Sequence, residues 1–202
     1  MKSRRDGTTE SGNTGDDALA RLVRDILVEI GENPDREGLL STPRRVAEAW
    51  GHFTQGYRQD VSALLSDAMV EDSHEGTVLV KDIDFYSMCE HHLVPFYGNC
   101  HIAYVPGKKI VGLSKIARVV DVFSRRLQVQ ERMTTQIARA LEDHLQPKGV
   151  AVLVEARHLC MSMRGVEKQD SVVVTTTLLG VFRSDPSLRA EFYAQLGKLQ
   201  NI

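Results

Sequence analysis

Apolar positions along this chain follow two periods in turn. Leu19, Leu22, Val23, Ile26, Leu27 and Ile30 recur at the spacing of one face of an α-helix. Asp16 or Asp17 can cap its start, and Gly31 can end it. Thr42-Pro43 opens a second helix, with Thr42 as N-cap and Pro43 at the first helical position, where its missing N–H leaves no bond unmade. Val46, Ala49, Trp50 and Phe53 then form the inner face, and a short amphipathic piece follows at 60–68. Beyond it the period falls to two. Val78, Val80, Ile83 and Phe85 predict a strand with an irregularity before Cys89, and 99–105 (NCHIAYV) predicts another, with 108–111 extending the sheet. The helical period returns with Ser114 as N-cap and Ile116, Val119, Val120 and Phe123 on one face, then Met133, Ile137, Ala140 and Leu141 on a second helix ending near Pro147-Gly149. Residues 150–161 and 171–182 read as long strands joined by a loop, and Pro186 opens a last helix with Leu188, Phe192 and Leu196 inward.

Paired strands separated by a helix pair predict an α+β domain over 71–202, an antiparallel four-stranded sheet with helices on one face. An N-terminal helical region (18–70) precedes it, and 1–17, apolar only at Met1, reads as a flexible tail. Open sheet edges invite another chain, so association through the sheet is expected.

Composition narrows the function classes. Of the 202 residues, 42% are apolar and 26% charged, which suits a globular fold rather than a disordered one. A formal net charge of −2 gives no basic field for nucleic acid. No run approaches the roughly 18 apolar residues of a membrane helix, and the polar N-terminus carries no secretory h-region. Three cysteines cannot all pair within the chain, so free or metal-binding thiols in a reducing cytoplasm are expected.

The candidate chemistry lies in two clusters. Cys89-Glu90-His91-His92 places three possible metal ligands within four residues, and His158-Leu159-Cys160 adds two more. On a continuous strand His158 and Cys160 share a face. Thiolates and imidazoles suit zinc, and a three-ligand site leaves room for water. A Cys2His set drawn from these residues would leave two histidines for proton transfer. Each residue alone is as well read as a core thiol or a solvated imidazole; it is the two clusters together that point to metal. Cys100 alternates with Ile102 and Tyr104 and reads as a packed thiol. The segment 112–118 is a candidate anion site: a helix start offers free N–H groups, and Lys115 and Arg118 share its first face, with Arg164 a possible third cation. Glu131 is either a carboxylate at a helix start or an acceptor for two N–H donors of a planar base.

The motifs CEHHLVPFYG (89–98), HIAYVPG (101–107), GLSKIARVV (112–120), RLQVQERMT (126–134), HLCMSMRG (158–165) and TPRRV (42–46) resemble those of the GTP cyclohydrolase I family, in that family's order. The resemblance implies a tunnelling fold. It also implies an enzyme that opens the imidazole ring of GTP with water, releases C8 as formate and forms 7,8-dihydroneopterin triphosphate on the way to tetrahydrofolate. It implies a cytoplasmic homodecamer of two pentamers with active sites between subunits. Carried over by position, Cys89, His92 and Cys160 are zinc ligands, with one Zn2+ per subunit activating water for attack at C8. His91 and His158 are the proton-transfer pair. Glu131, with Gln130 beside it, matches the guanine-recognition position. Ser114, Lys115, Arg118 and Arg164 match the ribose and triphosphate site, Ser114 within the catalytic set, and Arg45 adds a charge from a neighbouring subunit. Two competitors stand beside this reading. A relative acting on another purine or pterin would differ at the zinc set or at Glu131, and a nitrile reductase of the same fold would need a differently placed nucleophilic cysteine. A protein using zinc only to hold strands together would need a fourth protein ligand and would not turn over GTP.

Overall fold

The computed structural model describes residues 14–66, 68–72 and 74–197, in two compact units that meet in sequence at His52/Phe53. The tail expected before residue 14 lies outside the described residues. In the first unit, helix α1 spans Thr14–Glu29, so it starts inside the stretch read as tail. It ends as its glycine dictates. Gly31 takes φ +85°, its N–H bonds to Val28 O and that of Glu32 to Leu27 O, a pair of bonds that satisfies the last helical carbonyls. Arg24 pairs with Asp35 across the turn, and Arg36 pairs with Glu32, holding that carboxyl down at about 2. Of the expected inner stripe Val23 is buried, but Leu22, Ile26 and Ile30 are 59%, 57% and 70% exposed. Helix α2 (Thr42–Phe53) starts where Thr42-Pro43 predicts; Ala47 is its buried residue, and Val46, Ala49 and Trp50 are half-buried.

The second unit begins with a 3-10 turn (Gln55–Arg58) and helix α3 (Val61–Ser66), both packed on the fourth helix introduced below. In chain order come β1 (Met69–Glu71), β2 (Val78–Cys89), β3 (Pro95–Val105), β4 (Lys109–Val111), α4 (Leu113–Ser124), β5 (Leu127–Gln128), α5 (Gln130–Leu145), β6 (Gly149–His158), α6 (Leu159–Ser162), β7 (Val173–Gly180), α7 (Val181–Ser184) and α8 (Pro186–Leu196). The main sheet runs β5-β2-β3-β6-β7, so the α+β class and the four antiparallel strands hold, but the sheet has five members. The extra strand, β5, is two residues long and pairs parallel to the end of β2, too short to leave a period in the sequence. Lys109–Val111 does not extend this sheet; it pairs with β1 in a separate two-stranded one.

The main core lies between one sheet face and α4 and α5. Phe85, Phe96, Cys100, Ile102, Tyr104, Val152 and Val154 from alternate strand positions meet Ile116, Val119, Val120, Met133, Ile137 and Leu141. Fully burying side chains of this size contributes about 1.5–3 kcal/mol each. The expectation of helices on one face alone is corrected by a second cluster. Ala103, Val105, Ala151 and Leu153, the intervening strand positions, are covered by Phe182 of α7 and Phe192 and Leu196 of α8. Asp185 caps α8 through the N–H groups of Ser187 and Leu188. Farther along that face His101 and Glu155 are both buried, with Nε2 and Oε1 3.2 Å apart. His101 Nδ1 accepts the Asp82 N–H at the irregularity of β2, where Asp82 takes φ +56°.

Candidate active site

The hairpin between β2 and β3 sets the first ligands. Cys89 ends β2 with its N–H on Val94 O, and the Leu93 N–H returns to Cys89 O at 2.8 Å. That turn needs Leu93 at φ +54°, a conformation costly for a side chain with a Cβ, held here by the bonds on either side. It is tied outward as well: the Glu90 N–H bonds to Gln128 O, and the Glu90 carboxylate pairs with Arg132 of α5. Arg132 also donates to Gln128 Oε1 at 3.2 Å and holds the Glu90 carboxyl below the usual range.

Strand β6 ends at His158, so His158 and Cys160 do not share a strand face. Cys160 sits on α6, a single helical turn, which carries it round to Cys89. The ligand atoms of Cys89, His92 and Cys160 all lie within 4.8 Å of one another, with Cys89 Sγ 3.8 Å from His92 Nδ1. In a tetrahedral site, zinc–sulfur bonds of about 2.3 Å and zinc–nitrogen bonds of about 2.0 Å set neighbouring ligand atoms roughly 3.5–3.8 Å apart, so the three residues fit a zinc ion after a closing movement of up to about 1 Å. Burial, and then the adjacent Cys89 thiol, push the Cys160 thiol above its ordinary value, against the pull of Arg164. A cation between the sulfurs removes that penalty. Among the described residues the group has three members and no fourth.

His91 is not a member of this set; it is exposed, 3.9 Å from a Glu90 carboxylate oxygen, with its ring centroid 6.2 Å from that of His92. His158 lies flat against Phe96, with ring centroids 4.6 Å apart and planes 3° apart. Burial lowers its pKa while Glu131 raises it. Its Nε2 is 2.8 Å from Gln130 Oε1. Gln130 itself is 1% exposed and turned into the fold, whereas its neighbour Glu131 is exposed in the first turn of α5. Helix α4 carries Ser114 and Lys115 in its first turn and Arg118 in its second, but Gly112 rather than Ser114 occupies the N-cap, and Ser114 is the second helical residue. Arg118 opens on a cavity of about 420 Å³ that it shares with Asp60 and Asp121. Arg164 is exposed, within electrostatic reach of Cys160. Arg45 lies exposed on α2 in the N-terminal unit. Sequence reasoning missed Phe96 as the platform for His158 and the Glu90–Arg132 tie. Neither leaves a local signal, because each contact joins residues far apart in the chain.

Two cysteines and a histidine that could hold a metal ion converge beside a second, half-buried histidine, on an antiparallel sheet backed by helices, the arrangement of an α+β protein with a candidate metal centre. The comparisons make the assignment specific. The family model for GTP cyclohydrolase I matches residues 19–197. GTP cyclohydrolase 1 of Leptospira biflexa is 56% identical over 174 residues, 86% of this chain and 95% of that protein. The Deinococcus radiodurans enzyme of the same name is 58% identical over 86% of this chain and 81% of its own length, and the Homo sapiens one is 57% identical over 86% and 70%. The chain belongs to the GTP cyclohydrolase I family, a family of hydrolases.

Proposed function

We propose that this protein is a zinc-dependent enzyme that converts GTP to 7,8-dihydroneopterin triphosphate, with ring opening and release of formate, at the first step towards tetrahydrofolate. The observation that carries the reading is the convergence of Cys89, His92 and Cys160 in a member of this family. With three protein ligands the centre keeps an open position, the pattern of catalytic rather than structural zinc. A zinc ion there supplies Lewis acidity towards water and so a nucleophile near neutral pH.

The remaining roles fall to the chain's own groups. Glu131, at the exposed start of α5, accepts the N1–H and N2–H donors of guanine, an edge that adenine lacks. Ser114, Lys115, Arg118 and Arg164 serve the ribose and triphosphate, helped by the N-terminal end of the α4 dipole. Arg45 reaches the site of a neighbouring subunit. His91 and His158 move protons on and off the ring nitrogens and the ribose. Residues 71–202 form the catalytic domain, in a tunnelling fold whose open edges join subunits into a decamer of two pentamers. Its three unpaired cysteines suit a reducing cytoplasm, and among the described residues no helix is long and apolar enough to cross a membrane. Incubation of the full chain with GTP, followed by oxidation, should give neopterin fluorescence and one formate per GTP. No fluorescent product from metal-loaded protein would overturn the reading.

A further inference from the structure

We propose that Gln130 is a positioning residue that fixes the tautomer of His158 and so makes Nδ1 the nitrogen that exchanges protons with the substrate. The inference rests on the proposed role of His158 as a proton carrier.

Gln130 is the first residue of α5 and is all but inaccessible. One end of its amide lies 3.0 Å from Val154 O, 2.9 Å from Val173 O and 3.1 Å from Thr175 Oγ1. Backbone carbonyl oxygens only accept hydrogen bonds, so this end must be the NH2 group, and the amide cannot be turned round without leaving both carbonyls facing an oxygen. The other end is therefore the carbonyl oxygen Oε1, an acceptor, and it faces His158 Nε2 at 2.8 Å. Nε2 must then carry the hydrogen. A neutral imidazole has one N–H, so Nδ1 keeps the lone pair. A flip of the ring about Cβ–Cγ would turn Cε1 instead of Nε2 towards Gln130 Oε1 and lose this bond, and stacking parallel to Phe96 holds the plane of the ring. Among the described residues no hydrogen bond reaches Nδ1.

Two consequences follow. Both ends of the Gln130 amide are engaged inside the chain, so it supports the site from behind rather than reading the purine beside Glu131. In catalysis His158 takes a proton at Nδ1 to give the imidazolium, keeps its Nε2–H on Gln130, and returns the proton from Nδ1, so that it ends each transfer as it began.

The test is a long-range 1H–15N correlation spectrum of the full-length, metal-loaded protein, with the His158 signals identified by their loss in His158→Asn. The expected pattern is a single tautomer, with Nε2 protonated and Nδ1 bare. Gln130→Met should give mixed tautomers and lower kcat by about 10²-fold, the scale of a misplaced general acid–base, with KM for GTP nearly unchanged. An Nδ1–H tautomer in the wild type would overturn the proposal. So would a Gln130→Met enzyme with raised KM and full kcat, the signature of a substrate contact. If Gln130→Met fails to fold, the wild-type spectrum alone decides. A wild type that forms no neopterin from GTP would instead defeat the functional reading, while its spectrum would still report the hold of Gln130 on His158.

Discussion

The three cysteines differ in what surrounds their sulfurs: Cys89 and Cys160 join His92 in a cluster whose ligand atoms lie within 4.8 Å of one another, whereas Cys100 packs in the core. Cys100 is fully buried, and burial alone pushes its thiol far above the ordinary range, so alkylating reagents should reach it only on unfolding. Cys89 and Cys160 should be protected while metal is bound and become labelled after chelation, a gain of two modified thiols by mass spectrometry. Because the Cys160 thiol is raised, less of it is thiolate at mildly alkaline pH than of free cysteine, so its labelling should start slow and quicken as pH rises. Labelling of Cys89 and Cys160 in the metal-loaded protein, or no gain of modified thiols on chelation, would remove the site. The neighbours His91 and His92 divide in the same terms. His92→Ala should lose metal and activity together. His91→Ala, at an exposed residue outside the ligand set, should keep its metal and lose about 10²- to 10⁴-fold in rate. At Glu131, replacement by Gln turns an acceptor into a donor facing the purine N–H edge and leaves donors unpaired. A cost of about 1–3 kcal/mol corresponds to a kcat/KM for GTP lower by roughly 5- to 150-fold. Unchanged turnover of GTP by Glu131→Gln would take that residue out of the site.

At the scale of elements, what the sequence made legible was whatever repeats. Ile116, Val119, Val120 and Phe123 of α4 and Met133, Ile137 and Leu141 of α5 are buried as their spacing predicts, and so are Phe192 and Leu196 of α8. The elements that place the chemistry are the ones periodicity cannot see. Strand β5 has two residues and α6 four, and each is fixed by tertiary contacts: β5 by pairing with Met88 and Cys89 and by the Leu127 N–H on Tyr57 Oη, α6 by packing on β3. The ligand residues were therefore recognisable by type and motif, while the turn that parts Cys160 from His158 was not. Close approach between strands holds this geometry. A Cβ on Gly98 would run into the Glu155 carbonyl oxygen on β6, two residues along β3 from the Phe96 that supports His158. Gly98→Ala should therefore force β3 and β6 apart, costing about 1–3 kcal/mol in urea unfolding and lowering activity with it. Stability and activity equal to wild type would mean that the strands absorb the methyl without moving the site.

The whole molecule leaves two kinds of surface unfinished. In the sheet unit, β7 is an edge strand with an unpaired row of backbone groups, and β2 is covered on its outer side only where the two residues of β5 reach it. Exposed edges of this length recruit another strand unless something blocks them. In the N-terminal unit, Leu22 and Ile26 on α1 and Ile30 just past its end stand at i, i+4 and i+8, three large apolar side chains each more than half exposed. Both surfaces fit the proposed decamer, in which neighbouring chains complete the sheet edges and cover helical stripes, and neither fits a stable monomer. Light scattering should find the wild-type chain as a particle of ten copies that persists on dilution. Ile26→Lys puts a charge in the middle of the α1 stripe without touching the sheet core, so it should shift the particle to smaller species while the circular dichroism of the sheet unit stays the same. GTP turnover should fall with the loss of the particle, because Arg45 and the sheet edges then lack their partners. A wild type that runs as a monomer at full activity would show that one chain completes the site alone.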